Sequence, residues 1–229
     1  MKILSVSMTR REALWGWGYL LFQLFLLPLI LITANTLLPH PLPEATVNFV
    51  YFLLNFLCIL AIAHRFLLDS LRVALRSPFR CLRAAFLGLA LYFVCNILLS
   101  NLIIRFRPDF VNINDNSISS MTQGHFTLVS IGTILLVPPA EEFLYRGLVF
   151  GHLYNKNKLL AYAVSTVIFS AIHVIGYIGS YDLELLLLCF IQYIPAGICL
   201  GWAYASADSI FAPILMHITI NQIGMQAMR

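Results

Sequence analysis

The feature that most constrains this chain is the spacing of its apolar runs. Seven stretches, near 14–38, 45–68, 84–104, 125–153, 159–178, 183–205 and 209–226, are long enough, at about 20 residues each, to cross a hydrocarbon core of roughly 30 Å. Such an interior offers no water to backbone N–H and C=O groups, so the runs must be helices that satisfy those groups internally. The expected fold class is therefore an all-α polytopic membrane protein, a bundle of about seven transmembrane helices. Composition agrees, with 60% hydrophobic residues, 10% charged residues and a mean hydropathy of +0.87, far from a soluble globular domain.

The first run follows Lys2, Arg10 and Arg11. It is too long for a signal-peptide core and has no convincing small-residue cleavage site, so it is expected to stay as a helix. Cys58, Cys81, Cys95, Cys189 and Cys199 are scattered without C-x-x-C spacing, which predicts neither a disulfide framework nor a thiolate metal site. No linker, repeat or low-complexity stretch divides residues 1–229, which are expected to form a single integral membrane domain.

Orientation follows from the short loops, because Lys and Arg are retained on the cytoplasmic side. The 35–44 loop has neither, whereas the 64–83 loop carries Arg65, Arg72, Arg76, Arg80 and Arg83. Arg105 and Arg107 are offset by Asp109 and Asp115, Lys156 and Lys158 mark an internal loop, and Asp182 and Glu184 fall outside. A cytoplasmic N-terminus is expected. The net charge of +4 is accounted for by these flanks, as topology and lipid contact rather than a nucleic-acid surface.

Charge inside a span is different, since an ionisable group at membrane depth marks a functional site by default. Three helices carry such groups: Glu141, Glu142 and Arg146; Phe169 and His173; His217 and Asn221. Residues four apart share a helix face, so Glu142 and Arg146 can pair while Glu141 points about 100° away. Each group has a plainer reading: a register-fixing ion-pair cluster, a satisfied core histidine, an Asn–His pair bridging helices. Depth argues for one shared site, because Glu141, His173, His217 and Asn221 all lie roughly 12–21 Å along their helices from the arginine-rich end. Facing side chains of one helix-bundle site must converge in this way.

These residues also carry a resemblance. Glu141-Glu142-x-x-x-Arg146, Phe169-x-x-x-His173 and His217-x-x-x-Asn221, in that order on successive helices, resemble the three motifs of the CPBP intramembrane protease family, also called the Abi or type II CAAX prenyl protease family. The Pro pair before the glutamates, Arg146-Gly147 and the run PAGICLGWAYASADSIFAPILMH match as well. The resemblance covers about residues 125–225, a family-like catalytic core, with no departure at a motif position.

It implies an intramembrane endopeptidase that hydrolyses a peptide bond of a membrane-associated or lipidated protein or peptide by glutamate-activated water. Carried over position by position, Glu141 activates the water, His173 positions or polarises it, and His217 with Asn221 stabilises the tetrahedral intermediate. Glu142, Arg146 and Phe169 give structural support. Glu141, His173 and His217 also make the His₂Glu set of a catalytic zinc site, so the cofactor expectation is none or one zinc, with the metal-free mechanism favoured because H-E-x-x-H is absent. The expected partners are the lipid bilayer and a peptide or protein substrate, prenylated or bearing a leader peptide, and no nucleic acid. The expected location is a bacterial inner membrane.

The alternative is a non-enzymatic membrane protein, a bacteriocin-immunity or scaffold protein or a proton-linked transporter, since midplane acids and histidines also relay protons. The chain lacks the paired interrupted helices of transporter repeats. Gly197 and Gly201 form a small-xxx-small pair, expected to serve packing within the chain rather than dimerisation.

Overall fold

The computed structural model describes residues 3–229; Lys2, one of the basic residues used for orientation, lies outside them. Among the described residues the helices are α1 (Arg10–Thr36), α2 (Glu44–Arg76), α3 (Pro78–Phe106), α4 (Ile113–Thr122), α5 (Phe126–Tyr154), α6 (Lys158–Ile172), α7 (Leu183–Ala207) and α8 (Phe211–Ala227). Six are long and apolar enough to cross a membrane: α1, α2, α3, α5, α7, and α6 together with the tight turn that carries it to Tyr177. The seventh expected run is α8, whose 17 residues make it shorter than the other six.

Two further differences from the sequence reading concern the connections. The 64–83 stretch, expected as a loop, is helical on both sides of Ser77. Its arginines lie on helix ends, and the break falls where Pro78 opens α3 at a position with no intrahelical N–H to lose. The loop expected to be external leads into α4, whose start is fixed by the Asn112 side chain accepting from the N–H groups of Asn114 and Asp115; this is the usual role of Asn at an N-cap.

α5 is the centre. It packs against α1, α2, α6, α7 and α8, and all eight residues of Phe143–Phe150 are buried. Apart from Arg146 this segment is apolar or aromatic on every side, and a stretch with no polar face to give to water belongs inside. The outer helices carry the lipid-facing side chains, among them Leu29, Leu60, Phe86 and Leu98.

Two helices contain a wide turn immediately before a proline. In α1 the Leu27 N–H reaches back five residues to the Phe22 carbonyl, and in α5 the Val137 N–H does the same to Gly132. In that register the next carbonyls, of Gln23 and Thr133, would bond to residues 28 and 138, which are prolines and have no N–H. An unsatisfied carbonyl at membrane depth is costly. Each is taken by a side chain of another helix: the Tyr51 hydroxyl donates to Gln23 O at 3.1 Å, and the Asn221 amide donates to Thr133 O at 2.8 Å.

The arginine-rich end is closed by the N-terminal segment. Leu4 N–H donates to Asn155 Oδ1 at 2.9 Å, and Ser5 donates through N–H and Oγ to the Asp208 carboxylate at 2.8 and 2.6 Å. Asp208, at φ 60°, ends α7 in a left-handed conformation, and the Arg80 guanidinium donates to the neighbouring Ala207 carbonyl.

Gly197 lets α7 approach α6: a Cβ there would lie 2.7 Å from Thr166 Cγ2 and 3.1 Å from its Cα. The small-residue stripe thus serves packing within the chain. Gly197→Ala should lower the melting temperature in detergent, by the equivalent of about 1–3 kcal/mol of overpacking. Gly18→Ala, where a Cβ meets nothing within 4 Å, should leave it unchanged or raise it, because Ala is the better helix former by about 1 kcal/mol. Equal melting temperatures for the two variants would contradict this packing.

Candidate active site

The site starts from a charge problem. Glu142 and Arg146 are both 0% exposed, and a buried charge is tolerated only when paired and hydrogen-bonded. One helical turn brings Arg146 Nη1 to 3.2 Å from Glu142 Oε1. Arg146 Nη2 donates to the Gly197 carbonyl at 3.4 Å, and its guanidinium carbon stands 4.2 Å over the centre of the Phe169 ring. Phe169 in turn contacts Tyr145, His173 and His217. The phenylalanine of the second motif is therefore a shared wall between the buried charge and both histidines.

Glu142 has a second partner that sequence reasoning missed. Its Oε1 also accepts from His217 Nδ1 at 2.8 Å. A carboxylate only accepts, so the proton of a neutral His217 sits on Nδ1 and its Nε2 is left with a lone pair. The pair of Glu142 and Arg146 thus does more than fix α5: it sets the ring of His217 on α8.

Glu141, the next residue along, points elsewhere. It lines a cavity of about 780 Å³ together with His173, His217 and Asn221, whereas Glu142 and Arg146 do not line it. Glu141 Oε2 has no hydrogen-bond partner. His173 Nδ1 donates to the Phe169 carbonyl at 2.7 Å and its ring stacks on Tyr193 with centroids 4.0 Å apart, so its Nε2 also keeps a lone pair when neutral. Asn221 gives one amide hydrogen to Thr133 O and retains the other.

The four residues expected to form one site, from α5, α8 and the C-terminal end of α6, are brought to one cavity. It extends from Glu141 to Glu44 and Asp115, on the side of the bundle away from the arginine-rich end. Its walls carry those three carboxylates and, among the described residues, no Lys or Arg, a field that favours cationic over anionic segments. Residues that sequence reasoning passed over line it too, notably Gln23 and Tyr51. Polar residues inside otherwise apolar runs were the available signal.

Among the described residues, no three His, Cys, Asp or Glu side chains gather so as to hold a metal ion. Glu141, His173 and His217 as placed do not fit a zinc ligand set.

The geometry separates two adjacent glutamates by role. Removing one partner of a buried pair costs about 3–5 kcal/mol. Glu142→Gln and Arg146→Met should therefore lower the melting temperature in detergent markedly, while Glu141→Gln should not. Equal stability of all three variants would refute the separation.

Residues 123–223 match the family model described as Rce1-like, type II CAAX prenyl endopeptidase Rce1-like. UPF0177 protein YxdF of Lactococcus lactis subsp. lactis (strain IL1403) is 30% identical over 95 residues, which is 42% of this chain and 47% of that protein. The Bacillus subtilis (strain 168) protein named "Putative membrane peptidase YdiL" is 34% identical over 95 residues, covering 41% of this chain and 34% of that one. The chain thus spans less than half the length of these curated relatives. No solved structure matches it. Residues 123–223, which hold all three motifs, are thus similar to the type II CAAX prenyl endopeptidase family.

Proposed function

We propose that the protein is an intramembrane endopeptidase in which Glu141 activates water. The observation that carries this reading is that Glu141, His173, His217 and Asn221 line one cavity while the charged pair beside them is turned away from it. The family match and the relative named as a membrane peptidase support the same reading.

In the proposed reaction Glu141 accepts a proton from a water held at the His173 Nε2 lone pair. The water oxygen bonds to the peptide carbonyl carbon, and the carbonyl electron pair moves onto its oxygen. The free amide hydrogen of Asn221 donates to that oxyanion. His217, whose Nδ1 proton faces the Glu142 carboxylate, contributes Nε2–H when its ring is protonated. Collapse of the intermediate breaks the C–N bond, and the proton on Glu141 passes to the departing amine. General-base assistance is worth about 10²–10⁴ in rate, and one oxyanion donor about 10²–10³.

The substrate is a peptide bond in a membrane-associated or lipidated protein. Cavity walls such as Leu24, Leu31, Ile32 and Phe52 suit an apolar segment or lipid chain. The acidic lining favours a leader-type or other cation-bearing segment over a free terminal carboxylate. With the N-terminus in the cytoplasm of a bacterial inner membrane, as the basic flanks direct, the cavity opens outward.

A substrate-independent test uses a peptide library from digested membrane proteins, with farnesylated members added, incubated with purified protein in detergent and read by mass spectrometry. Wild type should release new termini that Glu141→Gln releases at least 10²-fold more slowly, as loss of a general base requires. Identical products from both would overturn the assignment. Elemental analysis should find far less than one zinc per chain, and phenanthroline should leave the rate unchanged. Stoichiometric zinc lost together with activity would refute the metal-free mechanism.

A further inference from the structure

The oxyanion position needs donors, and the motif residues supply few. Both histidines have Nδ1 turned toward protein acceptors, and Asn221 has given one of its two hydrogens to Thr133 O. The cavity contains another amide, on a helix outside the stretch that the family model matches. Gln23 of α1 lines it and is only 5% exposed.

Gln23 is held in one orientation. It lies in the wide turn Phe22–Leu26, a local widening often found at functional sites. The Tyr51 hydroxyl shares its proton between Gln23 O at 3.1 Å and Gln23 Oε1 at 2.7 Å. Tyr51 is set on α2 one turn before Asn55, whose Nδ2 donates to Tyr51 O at 2.8 Å and whose Oδ1 accepts from Tyr19 at 2.9 Å. Because Oε1 is taken, the amide nitrogen faces the other way, and Nε2 is buried with no acceptor. Tyr51 and Tyr145 line the cavity together with Gln23 and Glu141, and the Tyr145 side chain lies beside the Gln23 amide, so the amide and the base share one cavity wall. Of the buried side-chain polar atoms left without a partner among the described residues, those of Gln23 and Glu141 alone belong to residues that line the cavity; such a donor calls for a partner, and a ligand oxygen provides one.

We propose that Gln23 is a further catalytic residue, whose Nε2–H donates to the carbonyl oxygen of the scissile peptide as it becomes an oxyanion. This rests on the hydrolase reading above. When the water oxygen bonds to the carbonyl carbon and its proton passes to Glu141, the displaced electron pair on oxygen is met by Gln23 from α1 and Asn221 from α8. The wide turn, Pro28 and Tyr51 then form one device: the turn leaves a carbonyl unpaired, Tyr51 takes it, and the same hydroxyl fixes the amide.

The test uses the fastest-cleaved library peptide and the corresponding peptide aldehyde, whose hydrate mimics the tetrahedral intermediate. In Gln23→Leu, kcat should fall by about 10²–10³, the scale for one oxyanion donor, with KM and melting temperature little changed. Aldehyde affinity should fall in parallel while binding of the parent peptide holds. Should Gln23→Leu fail to fold, Gln23→Met keeps the chain length without the donor, and Tyr51→Phe, which releases Oε1, should lower kcat in the same direction. A wild-type kcat in the Gln23 variants, or equal weakening of peptide and aldehyde, would overturn the proposal while leaving Glu141 as the base. A wild-type protein that cleaves nothing would instead remove the hydrolase reading itself.

Discussion

The structure depends on a charge kept where charge is expensive. Arg146 and Glu142 sit with no exposure in the most buried helix of the bundle, and three of the surrounding helices contribute something that makes this tolerable. α7 offers the Gly197 carbonyl, α6 offers the Phe169 ring face, and α8 offers His217. Stabilisation alone is a weak explanation for such a pair, since apolar residues of similar volume are often as stable. The same two side chains tie α6, α7 and α8 to α5 through specific contacts, the kind of link by which a buried polar pair can set register. The polar faces of those helices are thereby aimed at a single cavity.

A second constraint comes from the prolines. Pro28 and Pro138 each follow a wide turn and leave a carbonyl without an N–H at membrane depth, and each carbonyl is answered by a side chain from another helix. The answering residues, Tyr51 and Asn221, both line the cavity. Backbone repair and site assembly therefore use the same atoms. Asn221 thus carries a structural duty beside its proposed chemical one, and loss of its side chain would leave the Thr133 carbonyl of α5 unpaired.

Much of this was legible in the chain. The spans are visible as apolar runs because the bilayer demands them, and the convergence of Glu141, His173, His217 and Asn221 followed from their common depth. The division between Glu141 and Glu142 was legible too, because a 100° step per residue cannot aim both at one place. What was hidden depends on contacts between distant residues. Nothing near Glu142 signals that His217, on another helix, will share its oxygen. Gln23 reads in sequence as one polar residue within an apolar run, and only the orphaned carbonyl beside it explains its fixed amide. α4 was passed over because its polar ten residues have no strong apolar period. The arginines of 64–83 give no sign in sequence that the helix continues to Arg76.

Two adjacent glutamates face different surroundings, Glu142 locked in the protein interior and Glu141 lining the cavity. Labelling with a small apolar carbodiimide, followed by peptide mass spectrometry, tests this difference most directly. The account predicts an adduct on Glu141, formed in step with loss of peptide cleavage, and none on Glu142 in the folded protein. An adduct on Glu142 with Glu141 unmodified would contradict it.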